Sequence, residues 1–113
     1  MAIDEGSAEL MRGDLAHLSS VTEKRMFGGL AFMLNGNMLC GVHGAGVGGG
    51  AMYRVGKDNQ AEALALPGAG PMKFTGRPMG GMVSLKAEAM GEDDVRARLL
   101  ALAVDFVGAL PAK

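Results

Sequence analysis

The run Lys24-Arg25-Met26-Phe27-Gly28-Gly29-Leu30-Ala31-Phe32-Met33-Leu34-Asn35-Gly36-Asn37-Met38-Leu39-Cys40-Gly41-Val42 constrains the fold more than any other part of the chain. It is two apolar runs joined by Asn-Gly. A two-residue hairpin turn needs positive φ at its central positions, which Asn and Gly adopt at low cost, so the segment reads as a β-hairpin turning at Asn35-Gly36. Its strands are expected over about 25–34 and 38–43. Odd and even positions are apolar in both. A strand with one face in water alternates apolar and polar residues. These do not, so both faces are expected to be covered, either by helices or by another chain. Phe27, Phe32, Met33 and Met38 are the expected dimer face on that ground.

The flanking elements read as a cover for this hairpin. Ser7 is a candidate N-cap, followed by Ala8, Met11, Leu15 and Leu18 on one helical face. A third strand is expected over 51–55 and a short helix over about 58–66, stopped by Pro67-Gly68. The stretch 69–72 reads as loop. A second hairpin is expected around Gly76-Arg77-Pro78, with strands over 72–75 and 79–86. The last helix is the clearest. Acidic Glu92-Asp93-Asp94 sits at its positive end, and Val95, Leu99, Leu102, Phe106 and Leu110 form a stripe widened by Leu100, Val104 and Val107. The order is α-β-β-β-α-β-β-α. That pattern implies an α+β, two-layer fold with an antiparallel sheet of about five strands.

Composition sets further bounds. The 113 residues make one domain, 1–113. At 49% hydrophobic and 20% charged, the chain is a globular one. No apolar run reaches the roughly 18 residues that span a membrane, and Met1 to Arg12 lacks the pattern of a signal peptide. The single cysteine, Cys40, excludes an internal disulfide framework and fits a reducing cytoplasm. A net charge of -1 argues against nucleic-acid binding, whose affinity rests on phosphate contacts. Ten methionines allow both irregular core filling and an adaptable binding surface.

No catalytic constellation emerges. Gly44-Ala45-Gly46-Val47-Gly48-Gly49 spells G-x-G-x-x-G, but a dinucleotide loop opens a helix, and strand-like Ala51-Met52-Tyr53-Arg54-Val55 follows. It reads as an inter-strand connector. Cys40 and His43 fall on opposite faces of a strand. His17 suits a helix C-terminus, and one cysteine with two histidines has no metal-ligand spacing. The chain is therefore expected to be non-enzymatic, without cofactor or metal. The best polar candidates are Lys24, Arg25, Arg54 and Arg77, which would hold a phosphate or a partner's carboxylate if the sheet gathers them.

The hairpin and a later Gly-Arg-Pro-Met carry a family resemblance. Glu23-Lys24-Arg25-Met26-Phe27-Gly28-Gly29-Leu30-Ala31-Phe32, Asn35-Gly36-Asn37-Met38, Met52-Tyr53-Arg54-Val55-Gly56 and Pro71-Met72-Lys73-Phe74-Thr75-Gly76-Arg77-Pro78-Met79 resemble the TfoX N-terminal domain family, the TfoX/Sxy competence-regulator group. The resemblance implies a small α+β domain of order α-β3-α-β2-α and a competence- or transcription-related role. The chain ends at Lys113, so it is similar to stand-alone members rather than to regulators with a second, C-terminal domain.

Three functions are thus in play. The first is a cytoplasmic, regulatory protein-interaction module acting as a homodimer. The second is a binder of small anionic ligands or nucleotides through Arg54 and Arg77. The third is direct nucleic-acid binding through Lys24, Arg25, Lys73 and Arg77.

Overall fold

A computed structural model describes residues 5–26, 28–44, 50–74 and 77–112, with side chains described outside 26, 72–74 and 77–79. The elements are α1 (Glu5–Leu15), β1 (Val21–Met26), β2 (Gly29–Leu34), β3 (Asn37–Val42), β4 (Ala51–Arg54), α2 (Lys57–Leu64), β5 (Ala69–Phe74), β6 (Arg77–Leu85) and α3 (Asp93–Val107), with a 3₁₀ turn at Ala87–Ala89. The strands form one antiparallel sheet in the order β1-β2-β3-β4-β6-β5. The α+β architecture is the expected one.

The Asn-Gly hairpin forms as its sequence dictates. Asn35 and Gly36 take φ of 53° and 83°, and Leu34 pairs with Asn37. The upstream run behaves differently from expectation. The strand expected over 25–34 is two strands, β1 and β2, paired with Met26 opposite Gly29. Gly28 sits at φ 74°, and a Cβ at Gly29 would lie 2.3 Å from the Val42 carbonyl oxygen, so the glycines both reverse the chain and let β2 approach β3. Among the described residues the sheet consequently has six strands, and the element order is α-β-β-β-β-α-β-β-α. The extra strand carries Thr22, Glu23, Lys24 and Arg25. It escapes an apolar-periodicity reading because it is a charged edge, which also blocks pairing with other chains. The stretch 69–72, expected as loop, is the first half of β5. Its Pro71 is tolerated because β5 is the other edge, where an absent N–H breaks no ladder on the outer side.

All three helices contribute to one core on one side of the sheet. Alternate strand residues point into it: Leu30, Phe32 and Leu34 from β2, Ala51 and Tyr53 from β4, Val83 and Leu85 from β6. A register shift beside Phe32/Met33 sets Cys40 opposite Phe32 and Met38 opposite Met33, and places both Leu39 and Cys40 in the core. Ala8, Met11 and Leu15 of α1 meet them, as do Ala63 of α2 and Leu99, Ala103 and Val107 of α3. The apolar faces expected for the first and last helices are the buried ones, with Leu18, Phe106 and Leu110 partly buried against the core.

Polar ties lock the helices onto the sheet. Arg96, only 4% exposed, donates from Nε and Nη2 to Asp14 of α1 (2.9 and 3.2 Å) and from Nη1 to the Met90 carbonyl (2.7 Å). Arg12 of α1 donates to Glu23 of β1 at 2.8 and 3.0 Å. Buried Asn37, beside the hairpin turn, donates to the Pro111 carbonyl at 3.0 Å and holds the end of the chain against β3. Burial of a hydrogen-bonded arginine depends on a partner distant in the chain, which local pattern does not reveal.

Candidate functional site

Two regions present themselves, and the sheet defines both. The first is the face away from the helices. Ala31, Met33, Met38, Met52 and Met82 alternate with core residues along their strands, and none belongs to the core cluster. The face is lined with methionine and small residues. Met52 lies across Gly41, where a Cβ would come within 2.9 Å of the methionine methyl. Ala31, Met52 and Met82 are buried within the single chain, while Met33 and Met38, paired across β2 and β3, stay half-buried. Of the residues expected to form a dimer face, Phe32 is 1% exposed on the helix side, so its ring belongs to the core and not to a surface. Phe27 lies outside the described residues.

The second region is a cleft of about 490 Å³ where β4 ends and α2 begins, walled by Gly80-Gly81 of β6 and by Asp105, Phe106, Ala109 and Leu110 at the end of α3. Its geometry turns on Gly81, at φ 80°. The Gly81 carbonyl accepts from Val55 N and Gly56 N (2.9 and 3.0 Å), and its own N–H donates to Gln60 Oε1 (3.3 Å). Gly56, at φ 82°, packs under Phe106, where a Cβ would stand 2.5 Å from the ring. The Asn59 amide lies within hydrogen-bond distance of the Val55 and Leu102 carbonyls and of Asp105 Oδ2 (3.1, 3.3 and 3.1 Å), joining α2 to α3. Arg54 sets its guanidinium over Phe106, 5.5 Å from the ring centroid.

Of the basic residues expected to act together, Lys24 and Arg25 are not brought to Arg54. Lys24 and Arg25 lie on β1, separated from Arg54 on β4 by two strands, or about 14 Å at ordinary strand spacing. Lys24 pairs with Ala31 and so shares the helix-free face, while Arg25 pairs with Leu30 on the other. Arg77 begins β6, and its side chain lies outside the described ones, as does that of Lys73. The residue that does join Arg54 in a cleft is Lys57. Its signal was the contiguous Arg54-Val55-Gly56-Lys57, a strand end followed directly by a helix start.

The glycine-rich stretch connects two antiparallel strands. β3 precedes it, β4 follows it, and the His43 N–H donates to the Gly50 carbonyl at 2.9 Å. Positions 45–49 lie outside the described residues, and the next described element is strand β4. Cys40 faces the core, where burial pushes its thiol well above the ordinary range. Burial also lowers the pKa of His43. The Tyr53 hydroxyl, on a residue paired with Cys40, has no hydrogen-bond partner among the described residues, and burial raises its pKa as well. Asp93 of the acidic cluster pairs with Arg96 at 2.8 Å, a structural use. His17 lines a second hollow of about 450 Å³ between α1 and α3, with Asp14, Ala97, Leu100 and Asp105 among its walls. Among the described residues, no group of three or more histidine, cysteine, aspartate or glutamate side chains is placed to hold a metal ion.

The family model for the TfoX N-terminal domain matches residues 14–107. The chain belongs to the TfoX N-terminal domain family. Neither a curated protein nor a solved structure matches it. The matched span runs from the end of α1 through α3 and contains the methionine-lined face and all of the cleft's walls except Ala109 and Leu110. Within this TfoX N-terminal domain, none of the described helices is long and apolar enough to cross a membrane.

Proposed function

We propose that this TfoX N-terminal domain is a non-enzymatic, cytoplasmic regulatory module that works by protein contact, in a competence- or transcription-related setting, and that it acts as a homodimer. The observation that carries the reading is the methionine-lined face of the sheet, which lies outside the core cluster built by the helices and on which Met33 and Met38 stand side by side, half-buried. Methionine is suited to such a surface because its unbranched, polarisable side chain repacks against different partners. The contact is narrower than the whole face, since Ala31, Met52 and Met82 are already buried in one chain. A second copy is the favoured occupant because a two-fold contact matches one patch to itself, and a net charge of -1 sets up little repulsion between copies.

Light scattering on the full chain at high micromolar concentration tests this. The expected mass is twice the 11.6 kDa of one chain. Met33→Glu and Met38→Glu are expected to yield monomers with unchanged circular dichroism. A wild-type monomer removes the homodimer, and a dimer indifferent to both substitutions moves the contact elsewhere.

A further inference from the structure

We propose that the cleft between β4, α2, β6 and α3 is a binding site for a small phosphate-bearing molecule, held by Arg54 and Lys57. Arg54 pairs with Met82 at the margin of the methionine face, but the cleft's other walls come from α2, the Gly80-Gly81 segment and the end of α3, so either reading stands if the other fails.

The argument begins with the two cations. Arg12, Arg96 and Arg98 each engage carboxylates, whereas Arg54 and Lys57 have none within ion-pair distance among the described residues. Yet both are positioned. Arg54 is half-buried with its guanidinium over Phe106. The Lys57 stem crosses Gly80, its Cε 3.3 Å from where a Cβ would be. Packing orders the stems while the charged heads remain without a counter-ion, so a ligand anion meets groups whose ordering is already in place.

The backbone adds to them. Gly56 precedes α2 and offers no side-chain cap, so first-turn amides that have no partner inside a helix remain available at the cleft. Gly56, Gly80 and Gly81 leave the wall free of side chains there. A phosphate suits this set better than a carboxylate. Its tetrahedral oxygens engage a guanidinium fork, an ammonium and backbone amides at the same time.

Two carboxylates share the cleft and oppose an anion. Asp105 is drawn to Asn59 by a 3.1 Å hydrogen bond, while Asp58 is exposed in the first turn of α2. Asp58 therefore gives the proposal a variant of opposite sign.

The test is isothermal titration of the full chain with inorganic phosphate and pyrophosphate at constant ionic strength, alongside thermal unfolding, with acetate and chloride as controls. Saturable binding is expected, with a rise in unfolding temperature that acetate at equal concentration does not reproduce. Arg54→Gln and Lys57→Gln are each expected to weaken binding about tenfold, the loss of one charge-assisted contact. Asp58→Asn is expected to tighten it by a few-fold through removal of a like charge. Lys57→Gln, at an exposed position, keeps the test valid if Arg54→Gln unfolds the chain. Absence of saturable binding up to about 20 mM overturns the proposal, because a ligand well above its Kd must stabilise the folded state. Binding that is equal in wild type, Arg54→Gln and Lys57→Gln overturns it as well.

Discussion

The two faces of the sheet are made from the same strands and differ in almost everything else. The helix side carries Phe32, Tyr53, Val83 and Leu85 in one close-packed cluster, and the polar groups that reach its margin, Asp14 and Arg96, are paired. The other side carries Ala31, Met33, Met38, Gly41, Met52 and Met82, flexible or small residues outside that cluster. The contrast teaches how a strand with no polar face is to be understood. β2 is apolar throughout because one set of alternate residues builds a rigid core while the other set lines a softer surface.

The largest expected effect tests the rigid side. Phe32→Ala empties a fully buried ring site and is expected to cost about 3–5 kcal/mol in urea unfolding, if the chain folds at all. Arg96→Ala should follow at about 3 kcal/mol, since it leaves Asp14 partly buried without its partner and strips the Met90 carbonyl of a donor. A loss below about 1 kcal/mol would mean that this bridge is no more than a surface pair.

Alkaline unfolding probes the same side by charge. Burial raises the pKa of Cys40 and Tyr53 in the folded chain. Their contribution is intact below the ordinary thiol value of 9.0 and is lost as pH rises past it, because only the unfolded chain then releases protons. The urea midpoint should fall between about pH 9 and 11, and less steeply in Cys40→Ala. A flat profile would place these groups in water. Tyr53→Phe is a smaller test. It removes a buried hydroxyl that has no partner, so it should be neutral or stabilise by up to about 1 kcal/mol. A loss of more than that would reveal a hydrogen bond to the hydroxyl.

The smallest effect belongs to the soft side. Met33→Ala should change the stability of the isolated chain by about 0.5 kcal/mol or less, because the side chain is only partly buried and lies outside the core cluster. A cost near that of Phe32→Ala would erase the distinction between the faces.

The Asn-Gly turn, the third strand, the buried stripes of α1 and α3 and the α+β class were legible because each rests on local rules: positive φ for a tight turn, and period for a strand or helix. β1 was not legible, since an edge strand need not be apolar. β5 was half legible: a strand was expected over 72–75, while Pro71 makes the first half read as loop until the strand is known to lie at an edge. The candidate site was half legible. Arg54 stood out as a cation in a strand, and the described cation that shares its cleft is Lys57 rather than Lys24, because strand order decides which side chains meet.

By itself, then, the sequence determined the family, the hairpin and the supply of apolar surface, all of which depend on residues near one another in the chain. Only the tertiary structure decided that Gly28-Gly29 reverses the chain, that Arg96 is buried against Asp14, and that the helices gather on one side. Each of these depends on contacts between distant segments. The run from Lys24 to Val42 supplies two apolar faces, and the helices choose which of them becomes core.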